Sequence, residues 1–219
     1  YQEETFVTTI QTNDGFSVGA SLDEATQNVY GALNATAAAI GNSATLGSEE
    51  IDVTAVQANA ADIDSFVELN AMLLGGDTKV TAAGIANSLS AEAGGEGHYS
   101  VEQSNGGEFV SADLTGTLDG SLGNVDLTGA ALGNSATLSS TGGSITTVAQ
   151  ANFANVGSSV VGSVGMGDSD LAGSVTATAA SIANSANTVS YTHLRAHETL
   201  RYRVCPGGGG KKGGGGGGG

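Results

Sequence analysis

The sequence predicts an all-β, repetitive β-solenoid of the parallel β-helix kind, with alternating short and long coils and a disordered C-terminal tail. Three observations lead there. The chain repeats itself at a period of about 46 residues, its recurring asparagines alternate between two sequence frames, and β-branched runs alternate with glycine-rich turns. The expected organisation is a repetitive body over residues 1–188 and a tail over residues 189–219.

The repeat is read from two families of short segments. One family contains Ile40-Gly41-Asn42-Ser43, Ile85-Ala86-Asn87-Ser88, Leu132-Gly133-Asn134-Ser135 and Ile182-Ala183-Asn184-Ser185. The other contains Gln11-Thr12-Asn13, Gln57-Ala58-Asn59, Gln103-Ser104-Asn105 and Gln150-Ala151-Asn152. On one axis the asparagines are Asn13, Asn42, Asn59, Asn87, Asn105, Asn134, Asn152 and Asn184, with steps of 29, 17, 28, 18, 29, 18 and 32 residues. Five residues before each asparagine of the Gln family stands a small hydroxyl residue, Thr8, Thr54, Ser100 or Thr147.

A unit of this size fits two solenoid turns of unequal length, one of 17–18 residues and one of 28–32. If all eight asparagines occupy one corner, their amides can bond copies above and below at the spacing of stacked strands, about 4.8 Å. Eight such rungs rise roughly 35–40 Å. A stack of broad hairpins with the same periodicity is the alternative that spacing leaves open.

Strand signals come from the β-branched runs at 53–57, 144–148 and 174–178, and turn signals from Gly75-Gly76-Asp77, Gly94-Gly95-Glu96-Gly97, Gly142-Gly143 and Gly165-Met166-Gly167-Asp168. The alanine-rich pieces suit a narrow interior. The most helix-like stretch is 61–74, where a short helix would fit. Aromatic residues are few in the body (Phe6, Phe16, Tyr30, Phe66, Tyr99, Phe109, Phe153), so the core must be thin and held by coil-to-coil stacking. Exposed strand edges at either end of an excised body would favour aggregation.

The tail sets most of the basic charge. The string Val189-Ser190-Tyr191-Thr192-His193-Leu194-Arg195-Ala196-His197-Glu198-Thr199 resembles one reading frame of a sequencing-library adapter, and the terminal glycine run resembles translated poly-G. Residues 189–219 are therefore expected to be a scar on a metagenomic fragment that has lost its own start. Setting Glu198 aside leaves 21 of the 22 acids, and setting aside Arg195, Arg201, Arg203, Lys211 and Lys212 leaves Lys79 alone among six basic residues, a net charge of −20. Such a body repels nucleic-acid phosphates and anionic membrane surfaces. No window is long and apolar enough for a transmembrane helix.

Catalytic signals are weak. His193, His197, Glu198 and Cys205 have the look of a zinc cluster but fall in the tail. His98 is the one histidine of the body, so no serine has a plausible base from another, and no Gly-x-Ser-x-Gly elbow occurs there. The acid pairs Glu3/Glu4, Glu49/Glu50, Asp62/Asp64 and Asp168/Asp170 are scattered between repeats and read as solvated turn charge. Calcium is the one cofactor weighed, because carboxylates suit it and it would offset the charge. Neither an EF-hand loop nor the calcium-binding glycine-rich nonapeptide is present. The expectation is no enzyme, no catalytic residue, no metal and no cofactor, with the eight asparagines as a structural ladder.

The alternating Gln-x-Asn and Ile-x-Asn-Ser segments, over roughly residues 5–188, resemble the repeats of curlin-like amyloid subunits and of the exported holdfast-anchor proteins of stalked alphaproteobacteria. The resemblance implies an adhesive or structural protein of the extracellular or outer-membrane surface of a bacterium, serving attachment or biofilm formation. Its implied partners are cell-surface polysaccharide or other surface proteins, and further copies of itself. Two alternatives stand beside it: a carbohydrate-interacting β-helix such as a phage tail-spike segment, and a calcium-stabilised secreted repeat protein.

Overall fold

The computed structural model describes residues 5–121, 123–164 and 173–190. Within these the chain forms twelve β-strands and no helix, so no helix there is long and apolar enough to cross a membrane. The first coil is β1 (Thr5–Asn13), β2 (Ser17–Val29) and β3 (Leu33–Ser48); the second is β4 (Ile51–Asn59), β5 (Asp62–Leu74) and β6 (Thr78–Ala93). The third is β7 (Gly97–Asn105), β8 (Phe109–Leu118) and β9 (Val125–Ser140), and the fourth is β10 (Ser144–Asn152), β11 (Asn155–Val164) and β12 (Val175–Ser190). The last strand runs two residues past position 188, pairing Val189 with Ser139 and Ser190 with Ser140.

Each coil gives one strand to each of three four-stranded sheets. The first sheet has the order β1-β4-β7-β10, the second β11-β8-β5-β2 and the third β12-β9-β6-β3. All neighbours are parallel and in register, as Thr5 with Ile51 and Gly97 with Ser144 illustrate. The molecule is thus a β-solenoid, as the repeat predicts.

The division into coils differs from the expectation. One repeat of about 46 residues is a single turn of three strands, not two turns of unequal length. The short and long asparagine steps separate two corners of the same coil: the long step crosses the second sheet, and the short one returns to the first. Four rungs therefore stand where eight were expected, and the rise from first to last is about 14 Å.

Inward positions alternate with outward ones along every strand, and this period of two explains why 61–74 is a strand. Ile63, Ser65, Val67, Leu69 and Ala71 of β5 point inward and are buried, while Asp64 and Met72 face solvent. Backbone partners on both sides, β2 and β8, override the helical propensity of this stretch.

The third-sheet strands bend midway. Ile40 pairs with Ile85 and Asn42 with Asn87, but the intervening Gly41 and Ala86 are not paired. Ala86 and Asn87 are both buried, so the in-out alternation changes phase there. The bend splits the interior in two. One apolar cluster, with Ile63, Leu69, Leu114 and Leu127, lies between the second sheet and the first half of the third. The other, with Val53, Leu89, Tyr99 and Leu138, lies between the first sheet and the second half of the third.

Candidate functional site

Between the two apolar clusters runs a seam of buried amides. The inward face of the first sheet ends on a glutamine and an asparagine in every coil, and the bend of the third sheet presents another asparagine. Gln57, Gln103, Asn87, Asn105 and Asn134 are at most 1 % exposed. A buried amide with unmet hydrogen-bonding capacity is costly, so the partners decide whether the seam stabilises the fold.

The eight asparagines form two ladders rather than one. Asn13 donates to Asn59 at 2.9 Å, Asn59 to Asn105 at 2.9 Å and Asn105 to Asn152 at 2.7 Å. At the bend, Asn42 donates to Asn87 at 2.8 Å, Asn87 to Asn134 at 2.7 Å and Asn134 to Asn184 at 2.7 Å. The single corner expected from spacing is divided in the structure between two corners of each coil.

A third ladder, of glutamines, was absent from the expected site. Gln57 donates to Gln11 at 2.6 Å, Gln103 to Gln57 at 2.7 Å and Gln150 to Gln103 at 2.7 Å. Its donors point toward the first coil, opposite to both asparagine ladders. The signal was available: each glutamine stands two residues before its asparagine, so in a strand both point the same way.

The remaining amide hydrogens stitch the first sheet to the third. Asn42, Asn87 and Asn134 donate to the carbonyls of Ala58, Ser104 and Ala151 at 2.7–2.9 Å. In return, Gln57, Gln103 and Gln150 donate to the carbonyls of Ser88, Ser135 and Ser185 at 2.8 Å. Asn59 and Asn152 donate to Ala61 and Ala154 carbonyls and so fix the turn into the second sheet. In a middle coil, then, each hydrogen of Asn87 and Gln103 has an acceptor and each side-chain oxygen a donor. Such a network fixes register, since a slip of one residue would set amides against apolar side chains.

Ionisable groups stand on the outer faces of the first and second sheets. On the first sheet a groove of about 420 Å³ is lined by Phe6, Asp52, His98, Ile145 and the hydroxyl column Thr8, Thr54, Ser100 and Thr147. His98 Nδ1 and Asp52 Oδ1 are 2.6 Å apart there. On the second sheet Asp62 accepts the backbone N–H groups of Glu108 and Phe109, and Ser111 donates to Asp64 at 2.5 Å. Burial and then the nearby Asp64 carboxylate raise the Asp113 carboxyl above the ordinary range, against a backbone hydrogen bond from Ser159 that lowers it. The Tyr99 phenol is raised, chiefly by burial, and donates to the Ser139 carbonyl at 2.7 Å.

These groups do not assemble a familiar reaction centre. Glu49 and Glu50 lie in the turn between β3 and β4, away from Asp62 and Asp64 at the start of β5. Among the described residues no three metal-ligating side chains gather. Glu3, Glu4, Asp168, Asp170, His193, His197, Glu198 and Cys205, and the expected disordered tail beyond Ser190, lie outside the described residues.

A family model described as holdfast attachment protein D matches residues 1–194, spanning all four coils. No curated protein and no solved structure matches the chain.

Proposed function

The chain belongs to the holdfast attachment protein D family, a membership that carries a cell-attachment role at the bacterial surface, and from that premise we propose that it is a non-catalytic structural anchor. In this reading it sits on the extracellular side of the outer membrane and ties surface adhesive material to the cell. The partners are cell-surface polysaccharide or other proteins of the attachment apparatus.

The observation that supports the reading is the amide seam. It spends the buried polar side chains of the middle coils on mutual hydrogen bonds, and amides neither ionise nor act as nucleophiles at ordinary pH. Its product is a fixed register between coils, which is what a load-bearing spacer needs. A strained or underpaired polar centre, such as catalysis calls for, has no counterpart in it.

The test is made in a bacterium that carries the protein. Deleting the gene is expected to release cells from a surface under flow, and restoring the natural chain to return them. Antibody labelling of intact cells is expected to find the protein without permeabilisation. Undiminished retention in the deletion strain, or labelling only after permeabilisation, would refute the anchor.

A further inference from the structure

The three outer faces of the solenoid differ in how they repeat. Inward positions recur from coil to coil because neighbouring side chains must pack. Outward positions are free of that constraint, and on two sheets most of their columns vary. One outward column of the first sheet reads Phe6, Asp52, His98, Ile145, and one of the second reads Ser21, Phe66, Asp113, Ser159.

The third sheet behaves otherwise. In the first half of its strands the column before the bend is Ile40, Ile85, Leu132 and Ile182. The residue two positions earlier is alanine in all four coils, and the residue four positions earlier is threonine in all four. These positions alternate with the buried ones and face outward, leaving Ile40 and Ile182 each 42 % exposed. Stacked identical side chains do help neighbouring strands pair. The first sheet uses it in one outward column, the hydroxyls Thr8, Thr54, Ser100 and Thr147, whereas here three adjacent columns repeat together.

Charge sets this face apart as well. Residues 1–188 carry a net charge of −20, yet none of these three columns contains an ionisable side chain; Lys79 and Asp126 lie just beyond its edge. Two copies meeting through a carboxylate-bearing face repel each other, whereas this face lets them approach. A partner that matches a surface repeating at the strand spacing needs the same period, and another copy of the sheet has it.

We propose that the threonine-alanine-isoleucine face of the third sheet is a self-association surface, which packs against the same face of a second copy. Four rungs and three columns cover about 400 Å² per copy at ordinary strand and residue spacings. That is about half of what a standard stable interface buries on each partner, so the dimer is weak and governed by concentration. Because the remaining surface is acidic, added salt strengthens it by screening the repulsion. The inference rests on this face and not on the attachment reading: a strictly monomeric chain would overturn it and leave the anchor untouched.

The test is sedimentation of the full chain over a range of concentrations at low and high salt. A monomer–dimer equilibrium is expected that tightens with salt. Ala83→Glu with Ala130→Glu places two like charges in the centre of the face and is expected to abolish the dimer. Thr54→Glu, on the outer face of the first sheet, is expected to leave it intact. The milder Ile85→Thr retains β propensity and is expected to weaken association several-fold, which keeps the test decisive if the double variant misfolds. A monomer at all concentrations and salts, a dimer untouched by both the double variant and Ile85→Thr, or equal loss in Thr54→Glu would overturn the proposal.

Discussion

Replacing Asn87 by alanine probes the seam where it is fully enclosed. Its amide donates to the Ser104 carbonyl and to Asn134, each at 2.7 Å, and accepts from Asn42 at 2.8 Å. The substitution removes three hydrogen bonds, each worth about 1 kcal/mol net. It also leaves an Asn42 hydrogen and the Asn134 side-chain oxygen facing each other across a gap, which adds about 1–2 kcal/mol for orphaned buried groups. The expected loss is thus about 4–5 kcal/mol, read as a lower urea midpoint with an unchanged slope. Asn184→Ala is the control, since that residue lies in the fourth coil and makes one ladder bond, as acceptor from Asn134. Its cost should be about 1 kcal/mol. Equal midpoints for the two variants would refute the reasoning, because the seam would then contribute no more when enclosed than at its end. Asn87→Asp extends the test to pH. A carboxyl at this site is desolvated beside no cation, so its folded pKa lies above the unfolded value of about 3.9. The variant should be closest to the parent below that value and lose stability as pH rises through the folded pKa.

Gly133→Ala should destabilise the chain by about 1–3 kcal/mol, since a Cβ there meets the Ala183 carbonyl and comes within 2.7 Å of Asn152 Oδ1. The reverse change at the equivalent place in the second coil, Ala86→Gly, should cost at most about 1 kcal/mol; urea titration of both checks the asymmetry. Asp113 has its carboxyl raised by burial and by Asp64, so the charged form is penalised and stability attributable to this group is present at low pH and lost as pH rises through the raised pKa. Asp113→Asn should therefore raise Tm at neutral pH and leave it unchanged near pH 3.5, below the ordinary carboxyl value of about 3.9; a rise of the same size at both would contradict the assignment. Leu114→Ala, at a site 1 % exposed in the larger apolar cluster, should cost about 2–5 kcal/mol in the same titration.

The fold class was legible because a solenoid writes its geometry into the sequence at one period. Equivalent residues of successive coils must match, so Asn42, Asn87, Asn134 and Asn184 stand at steps near one coil length. What spacing could not convey is how many corners one coil contains. Asn13 and Asn42 differ in frame whether they belong to two coils or to two corners of one, and only the pairing of Thr5 with Ile51 decides it. The strand at 62–74 was obscured because Leu69, Ala71, Met72 and Leu73 favour helices when considered singly, while the partners that hold β5 extended are 45 residues earlier and 47 residues later. The glutamine ladder follows from strand parity alone: a residue two before an inward asparagine also points inward, so Gln11, Gln57, Gln103 and Gln150 stack as their asparagines do. The groove of the first sheet was invisible, since Phe6, Asp52, His98 and Ile145 share a column only once the coils are stacked.

The three ladders keep one polarity from coil to coil: both asparagine columns donate toward the fourth coil and the glutamine column toward the first. A whole coil copied in tandem would therefore slot between any two others with every amide met, whereas a fraction of a coil would break all three columns at once. Growth of such a molecule is quantised. Gene duplication can lengthen it in increments of about 4.8 Å, and smaller insertions are confined to connections such as that between β8 and β9, where six residues replace the three between β5 and β6.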